Sequence, residues 1–176
     1  CCGVGHSVST YGALIDYYFS GQAVEISENP QQFYSEKLVL LPGDGVIYNY
    51  PNYQRKNKSK TDPRLIINCP WSAQKVNHQL LLLLRQIIEK SRKELLFRFF
   101  SGASLRENSY LPFVKDLQRI LPQDCFEVTP SLNYDDYMAL MEEGDICLDS
   151  YHFGGCNTVI DSLFLDKPTV VYEGDR

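Results

Sequence analysis

No stretch of this chain is apolar for long. The longest strongly apolar run, Leu80 to Leu84, is far short of the about 20 residues that a membrane-crossing helix needs. The basic start and apolar core of a secretory leader are missing as well. None of the six cysteines falls in a Cys-x-x-Cys pair, which argues against zinc. Cys69, Cys125 and Cys147 lie in or beside apolar runs, and Cys1-Cys2 opens another, as expected of buried free thiols in a reducing cytoplasm. There is no surplus of basic residues: a formal charge of −5 excludes a typical nucleic-acid partner. The one basic run, Arg55 to Lys60, is short and reads as a solvated linker. It contains Asn57-Lys58-Ser59, a glycosylation acceptor by pattern that lacks a secretory context. Internal repeats and low-complexity tracts are absent. So is an initiator Met, which suggests a fragment or a chain numbered from an internal residue.

What is present suits a globular protein. Hydrophobic residues make up 44% and charged residues 22% of the 176, enough for one domain or parts of two. From about Arg64 onward strands and helices alternate. Leu65–Ile67 is β-branched and strand-like. Asn77 can cap a helix running to about Arg92, with Leu80, Leu83, Leu84, Ile87 and Ile88 on its buried stripe. Leu95 to Phe100 is a second strand. Leu111 to Leu121 is a helix that buries Val114, Leu117, Ile120 and Leu121 and stops at Pro122. Phe126–Val128 is a third strand, Tyr134–Glu142 a short helix ended by Gly144, and Ile146–Leu148 a fourth strand. Thr158–Leu165 and Thr169–Tyr172 complete the series as helix and strand. This order predicts a parallel α/β sheet with right-handed crossovers and a ligand crevice at the carboxyl ends of its strands.

Before a polar boundary at about Tyr50 to Pro63 the same grammar is shorter. Cys1–Val4, Ala23–Ile26 and Lys37–Leu41 read as strands, Ala13–Phe19 as a helix, and Pro30–Tyr34 as a helical turn.

The segment with the most chemical content runs from Ile146 to Asp161. It reads as a buried strand, a loop with Gly154 and Gly155, and the start of a helix. The glycines permit a sharp turn and a close approach to a ligand. Asn157 and Thr158 fall in the first helical turn, where unpaired N–H groups and the helix dipole attract anions. Asp161 lies one turn further on the same side and suits a sugar hydroxyl. Together they fit a nucleotide-sugar site; they also fit an ordinary strand-to-helix turn with its N-cap. Three other places stand out. Gly5-His6-Ser7-Val8-Ser9-Thr10-Tyr11-Gly12 is a loop offering hydroxyls and an imidazole, or a helix N-cap with a surface histidine. Lys75 could meet a pyrophosphate as a point charge or stay solvated. Tyr137 could stack on a nucleobase or belong to the core of its helix. Asp135-Asp136 invites a metal reading on weak evidence, and an acidic first helical turn explains the pair as well.

In this order the pieces resemble the protein O-linked N-acetylglucosamine transferase family, which includes the bacterial HMW1C-like protein N-glucosyltransferases. Four blocks carry the likeness: Gly5 to Thr10, Tyr34 to Pro42, Lys75 in its loop, and Leu148 to Asp161 continuing through Leu163 to Val171. The resemblance implies a GT-B fold of two Rossmann-like lobes. Residues 1–52 would close the first lobe, 53–63 would be a linker, and 64–176 would form most of the nucleotide-binding lobe. It implies a UDP-sugar donor carrying glucose or N-acetylglucosamine, a protein or peptide acceptor, inversion at the anomeric carbon, and no metal or other cofactor. Lys75 would contact the pyrophosphate and Asn157 and Thr158 the phosphate, while Asp161 would hold the ribose. Leu132 and Tyr137 would frame the uracil beside the Gly154-Gly155 loop. His6 joins Lys75 as a catalytic candidate, with Ser9, Thr10 and Tyr11 in the acceptor loop. Three positions depart from the pattern. Cys156 stands where the O-linked enzymes carry a histidine, Tyr134 where they carry a lysine, and Tyr11 where the N-glucosyltransferases carry a second histidine. The departures at Tyr11 and Cys156 keep open a non-catalytic nucleotide-sugar-binding scaffold, and a GT-B sugar-nucleotide epimerase is a further alternative. A fragment with half the cleft is expected to transfer little sugar by itself.

Overall fold

In a computed structural model of the chain, residues 9–11, 14–56, 60–100 and 107–173 are described, 107–110 for their backbone alone. The expected strand at Cys1–Val4 and the loop residues Gly5 to Val8, His6 among them, lie outside this set. The described residues form two compact units, one ending at Tyr50 and the other running from Pro51 to Glu173.

The first unit is built on two parallel strands, β1 (Tyr17–Gly21) and β2 (Lys37–Leu41), in register from Tyr17 against Lys37 to Gly21 against Leu41. A helix is expected over Ala13–Phe19, and among its described residues, 14–19, none is helical. Tyr17-Tyr18-Phe19 is an aromatic run that fits a pleated, half-buried surface better than a helix, and Tyr18 is buried against the Tyr34 ring, 4.6 Å between centroids. The strand expected over Ala23–Ile26 is a turn instead. The Val24 and Glu25 N–H groups both donate to the Gly21 carbonyl, and Val24 and Ile26 are exposed. A parallel pair needs a crossover rather than a hairpin, and this turn begins it. The 3₁₀ turn Pro30–Phe33 continues it, as expected from the sequence.

The second unit is a five-stranded, all-parallel sheet flanked by helices. Its strands are β3 (Leu65–Cys69), β4 (Leu95–Phe100), β5 (Phe126–Thr129), β6 (Ile146–Leu148) and β7 (Thr169–Val170), ordered β5-β4-β3-β6-β7. The helices between them are α1 (His78–Lys90), α2 (Glu107–Ile120), α3 (Tyr134–Glu143) and α4 (Asn157–Phe164). The chain winds outward from β3 through β4 to β5, then returns to the other side of β3 with β6 and β7. This is the Rossmann order, with its switch point between β3 and β6. β4 is buried along its whole length, as a central parallel strand must be.

The elements follow the sequence with local corrections. On α1 the buried leucines are Leu80, Leu81 and Leu84, while Leu83 is 43% exposed. Ile87 and Ile88 pack at the margin of the same core. Five consecutive leucines leave the buried face open to sequence reading, and the sheet selects it. Helix α2 starts earlier than expected and contains Pro112. Its buried residues include Phe113, which meets the Phe99 ring edge-on at 5.7 Å. The polar segment before β3 is held against this unit. Tyr53 is buried and its hydroxyl donates to Glu142 Oε2 at 2.9 Å; Arg55 pairs with Asp166, and Lys60 with Asp145. No helix among the described residues is long and apolar enough to cross a membrane.

Candidate functional site

The carboxyl ends of β3 and β6 diverge at the switch point, so the loops leaving them face one another across the crevice where ligands of such sheets bind. Three bonds lace these loops. Trp71, just after β3, donates its indole N–H to the Leu148 carbonyl at 2.6 Å. Asn77 caps α1 by accepting from Leu80 N at 2.9 Å and donates from Nδ2 to the Tyr151 carbonyl at 2.7 Å. Lys75 Nζ donates to the Gly154 carbonyl at 2.7 Å and lies 4.9 Å from the Phe153 ring centroid. Lys75, separated by 79 residues from Gly154, therefore stands next to the loop that opens α4.

The two glycines of that loop lie close against neighbouring side chains. A Cβ on Gly154 would stand 2.7 Å from Asp149 Oδ2, and one on Gly155 would collide with Thr158 Oγ1. Asp149, at the end of β6, accepts from Ser150 N and from Gly155 N, each at 2.8 Å through Oδ1. The protein thus uses the Gly155 N–H itself, and an anion at this turn would have to meet the amino end of α4 at Asn157 and Thr158. Helix α4 begins there without a side-chain cap bond from Cys156. Asp149 carries negative charge into the same loop, and the ammonium of Lys75 is the neighbouring opposite charge.

Beside α4 lies an apolar cavity of about 400 Å³. Trp71, Leu132, Tyr134, Tyr137 and Thr158 are among its lining residues, so the structure brings together three of the residues predicted for donor binding. Tyr137 is half-buried. Its ring meets Phe100 edge-on at 5.2 Å, and its hydroxyl is buried with no partner at hydrogen-bonding geometry. Burial pushes its phenol pKa up. Asp161 is buried at 8% exposure and accepts from the Tyr134 hydroxyl at 2.6 Å through Oδ1. Burial raises its pKa, and the nearby hydroxyls of Tyr134 and Tyr137 act against the rise.

In the first unit Ser9, Thr10 and Tyr11 form a group of their own. Glu36, buried at the start of the run into β2, gathers them. It accepts from Ser9 Oγ at 2.6 Å, from Thr10 N at 2.8 Å and from the Thr10 hydroxyl, and Ser35 Oγ adds a bond at 3.1 Å. The Ser9 and Thr10 hydroxyls hold its carboxyl at about 2. Tyr11 adopts φ 33° and its hydroxyl donates to the Phe33 carbonyl at 2.9 Å.

Sequence reasoning missed Trp71, Glu36, Asp149 and the part played by Tyr134. Trp71 was open to discovery as the lone tryptophan, placed directly after a strand. The others act through partners distant in sequence that no local pattern reveals.

No protein-family model matches the chain. Two curated UDP-glucose:protein N-beta-glucosyltransferases of Actinobacillus pleuropneumoniae, from serotypes 5b and 7, are each 24% identical to it over 167 residues, 92% of this chain and 26% of theirs. The chain therefore spans about a quarter of the length of these relatives. Among solved structures, a mutant of the O-GlcNAc transferase of Thermobaculum terrenum superposes with a TM-score of 0.72 at 20% identity, over 91% of this chain and 30% of that one. The pneumococcal O-GlcNAc transferase GtfA, in complex with UDP and GlcNAc, superposes with a TM-score of 0.53 at 13% identity, over 88% of this chain and 29% of that one. The fold is that of the GT-B O-GlcNAc transferases, and the resemblance read from the four sequence blocks is the one these comparisons return.

Proposed function

We propose that the chain is the nucleotide-sugar-binding part of a protein glycosyltransferase, one that moves glucose or N-acetylglucosamine from a UDP-sugar to a protein side chain. The observation that carries this is the meeting of Lys75 with the Gly154 carbonyl at the switch point, beside an aromatic-lined cavity that reaches Thr158. A diphosphate at the amino end of α4 would find the helix N–H groups and an ammonium together. The neighbouring cavity suits a base, and Asp161 a ribose hydroxyl.

The reaction this arrangement serves is an inverting displacement. An acceptor nucleophile forms a bond to the anomeric carbon, the bond to the β-phosphate oxygen breaks, UDP departs with the electron pair, and the acceptor gives up a proton. The protein's largest task is to stabilise charge growing on the diphosphate. Lys75 and the helix end provide that field without a divalent cation. His6 is the candidate group on the acceptor side, with the loop that Glu36 pins through Ser9 and Thr10 as its continuation. The free thiols of Cys69 and Cys147, both buried, suit a reducing, cytoplasmic setting. The relatives named above favour transfer over the scaffold and epimerase alternatives.

The test is a thermal melt of the full chain with UDP. A rise of several degrees is expected for the wild type, since a ligand at a hundred times its Kd adds about 2.7 kcal/mol, and Lys75→Ala and Asp161→Ala should abolish it. A wild-type melt indifferent to UDP would remove the basis of the reading.

A further inference from the structure

The first turn of α3 faces α4, and its two tyrosines are used differently. Tyr137 turns its ring into the core against Phe100, and Met138 beside it is fully buried. Tyr134, one turn earlier, keeps 46% of its surface exposed at the cavity wall and spends its hydroxyl on Asp161 Oδ1 at 2.6 Å. Asp161 is buried, and a buried carboxylate stripped of donors protonates or swings away. The Tyr134 hydroxyl therefore fixes where this carboxylate points.

We infer that Tyr134 is a positioning residue for ribose recognition: its hydroxyl fixes Asp161 so that one carboxylate oxygen receives the ribose, while its ring walls the cavity beside it. This rests on the nucleotide-binding reading above. It gives a role to a position at which the sequence departs from the O-linked enzymes, and it adds Tyr134 to Tyr137 as an aromatic that walls the cavity.

Calorimetric titration of the full chain with UDP and with 2′,3′-dideoxy-UDP tests it. Tyr134→Phe keeps the ring and deletes the hydroxyl, so UDP affinity should fall about tenfold, the effect of one hydrogen bond to a charged group. The dideoxy compound, which cannot use Asp161, should bind wild type and Tyr134→Phe equally. A purely structural role would weaken both ligands alike, and that result overturns the inference, as does a Tyr134→Phe protein that binds UDP like the wild type. Tyr134→Ala should weaken both ligands, because it also removes the wall. Failure of the wild type to bind UDP at all is a different result, and it takes down the functional reading together with this inference.

Discussion

Asp161 shows how a single side chain can be held at a cost. Its folded pKa is raised by burial, so the folded protein binds a proton there more tightly than the unfolded chain does. The sign follows: the penalty is absent below the unfolded carboxyl pKa and grows as pH rises toward the folded value. Wherever Asp161 is ionised, its buried charge opposes folding. Asp161→Asn retains an amide oxygen for the Tyr134 hydroxyl and removes the buried charge. Its melting temperature at pH 7 should equal or exceed that of the wild type, while the UDP-induced rise disappears. Paired melts with and without UDP read both quantities, and a clear loss of intrinsic stability would show that Asp161 serves the fold. The sequence marked Asp161 as a helical residue one turn beyond Thr158, suited to a sugar hydroxyl, but not its hydroxyl partner, which stands 27 residues away.

At the scale of elements the second unit was far more legible than the first. Leu95–Phe100 appears with the boundaries the apolar run predicts, and Asn77 and Gly144 flank helices as expected. The reason is burial from both faces: strands of a central parallel sheet are continuous apolar runs, and the helices between them repeat every three to four residues. Tyr17–Gly21 has neither advantage. It is short, it pairs with one neighbour, and Ala13-Leu14 before it reads as helical. Among the site's parts, the α4 turn and Lys75 were readable because both sit at strand ends, whereas the lacing between loops was not. Asn77 illustrates the lacing, since its oxygen caps α1 while its nitrogen holds the Tyr151 carbonyl. Asn77→Ala should cost about 1–2 kcal/mol in urea unfolding, the upper part of the range for a lost cap. Asn77→Ser, which can still cap, should recover more than half of it.

For the molecule as a whole, acid is the informative stress. Glu36 is held at about 2 against an ordinary 4.5 by the Ser9 and Thr10 hydroxyls, and Asp62 at about 2 against 3.8 by Arg64. Both pKa values are depressed on folding, so both groups favour the folded state above their unfolded pKa and lose that contribution as pH falls toward 2. Stability should therefore decline from about pH 4.5 down to about pH 2. Denaturant titrations across this window should give a flatter profile for Glu36→Gln than for the wild type, and flatter again when Asp62→Asn is added. Parallel profiles would mean that the Glu36 carboxylate is not bound to the Ser9–Thr10 loop in solution.

The strap that carries Tyr53, Arg55 and Lys60 changes where the second unit begins in practice. Its polar composition invites a cut there, the usual place to sever one domain from the next. Yet Glu142, Asp145 and Asp166 each answer a group on that strap, and Tyr53 fills a place in the core beside Met138 and Met141. A lobe trimmed back to Arg64 would bare that core and strand three carboxylates around the last strands of the sheet, so anyone isolating it should begin no later than Pro51.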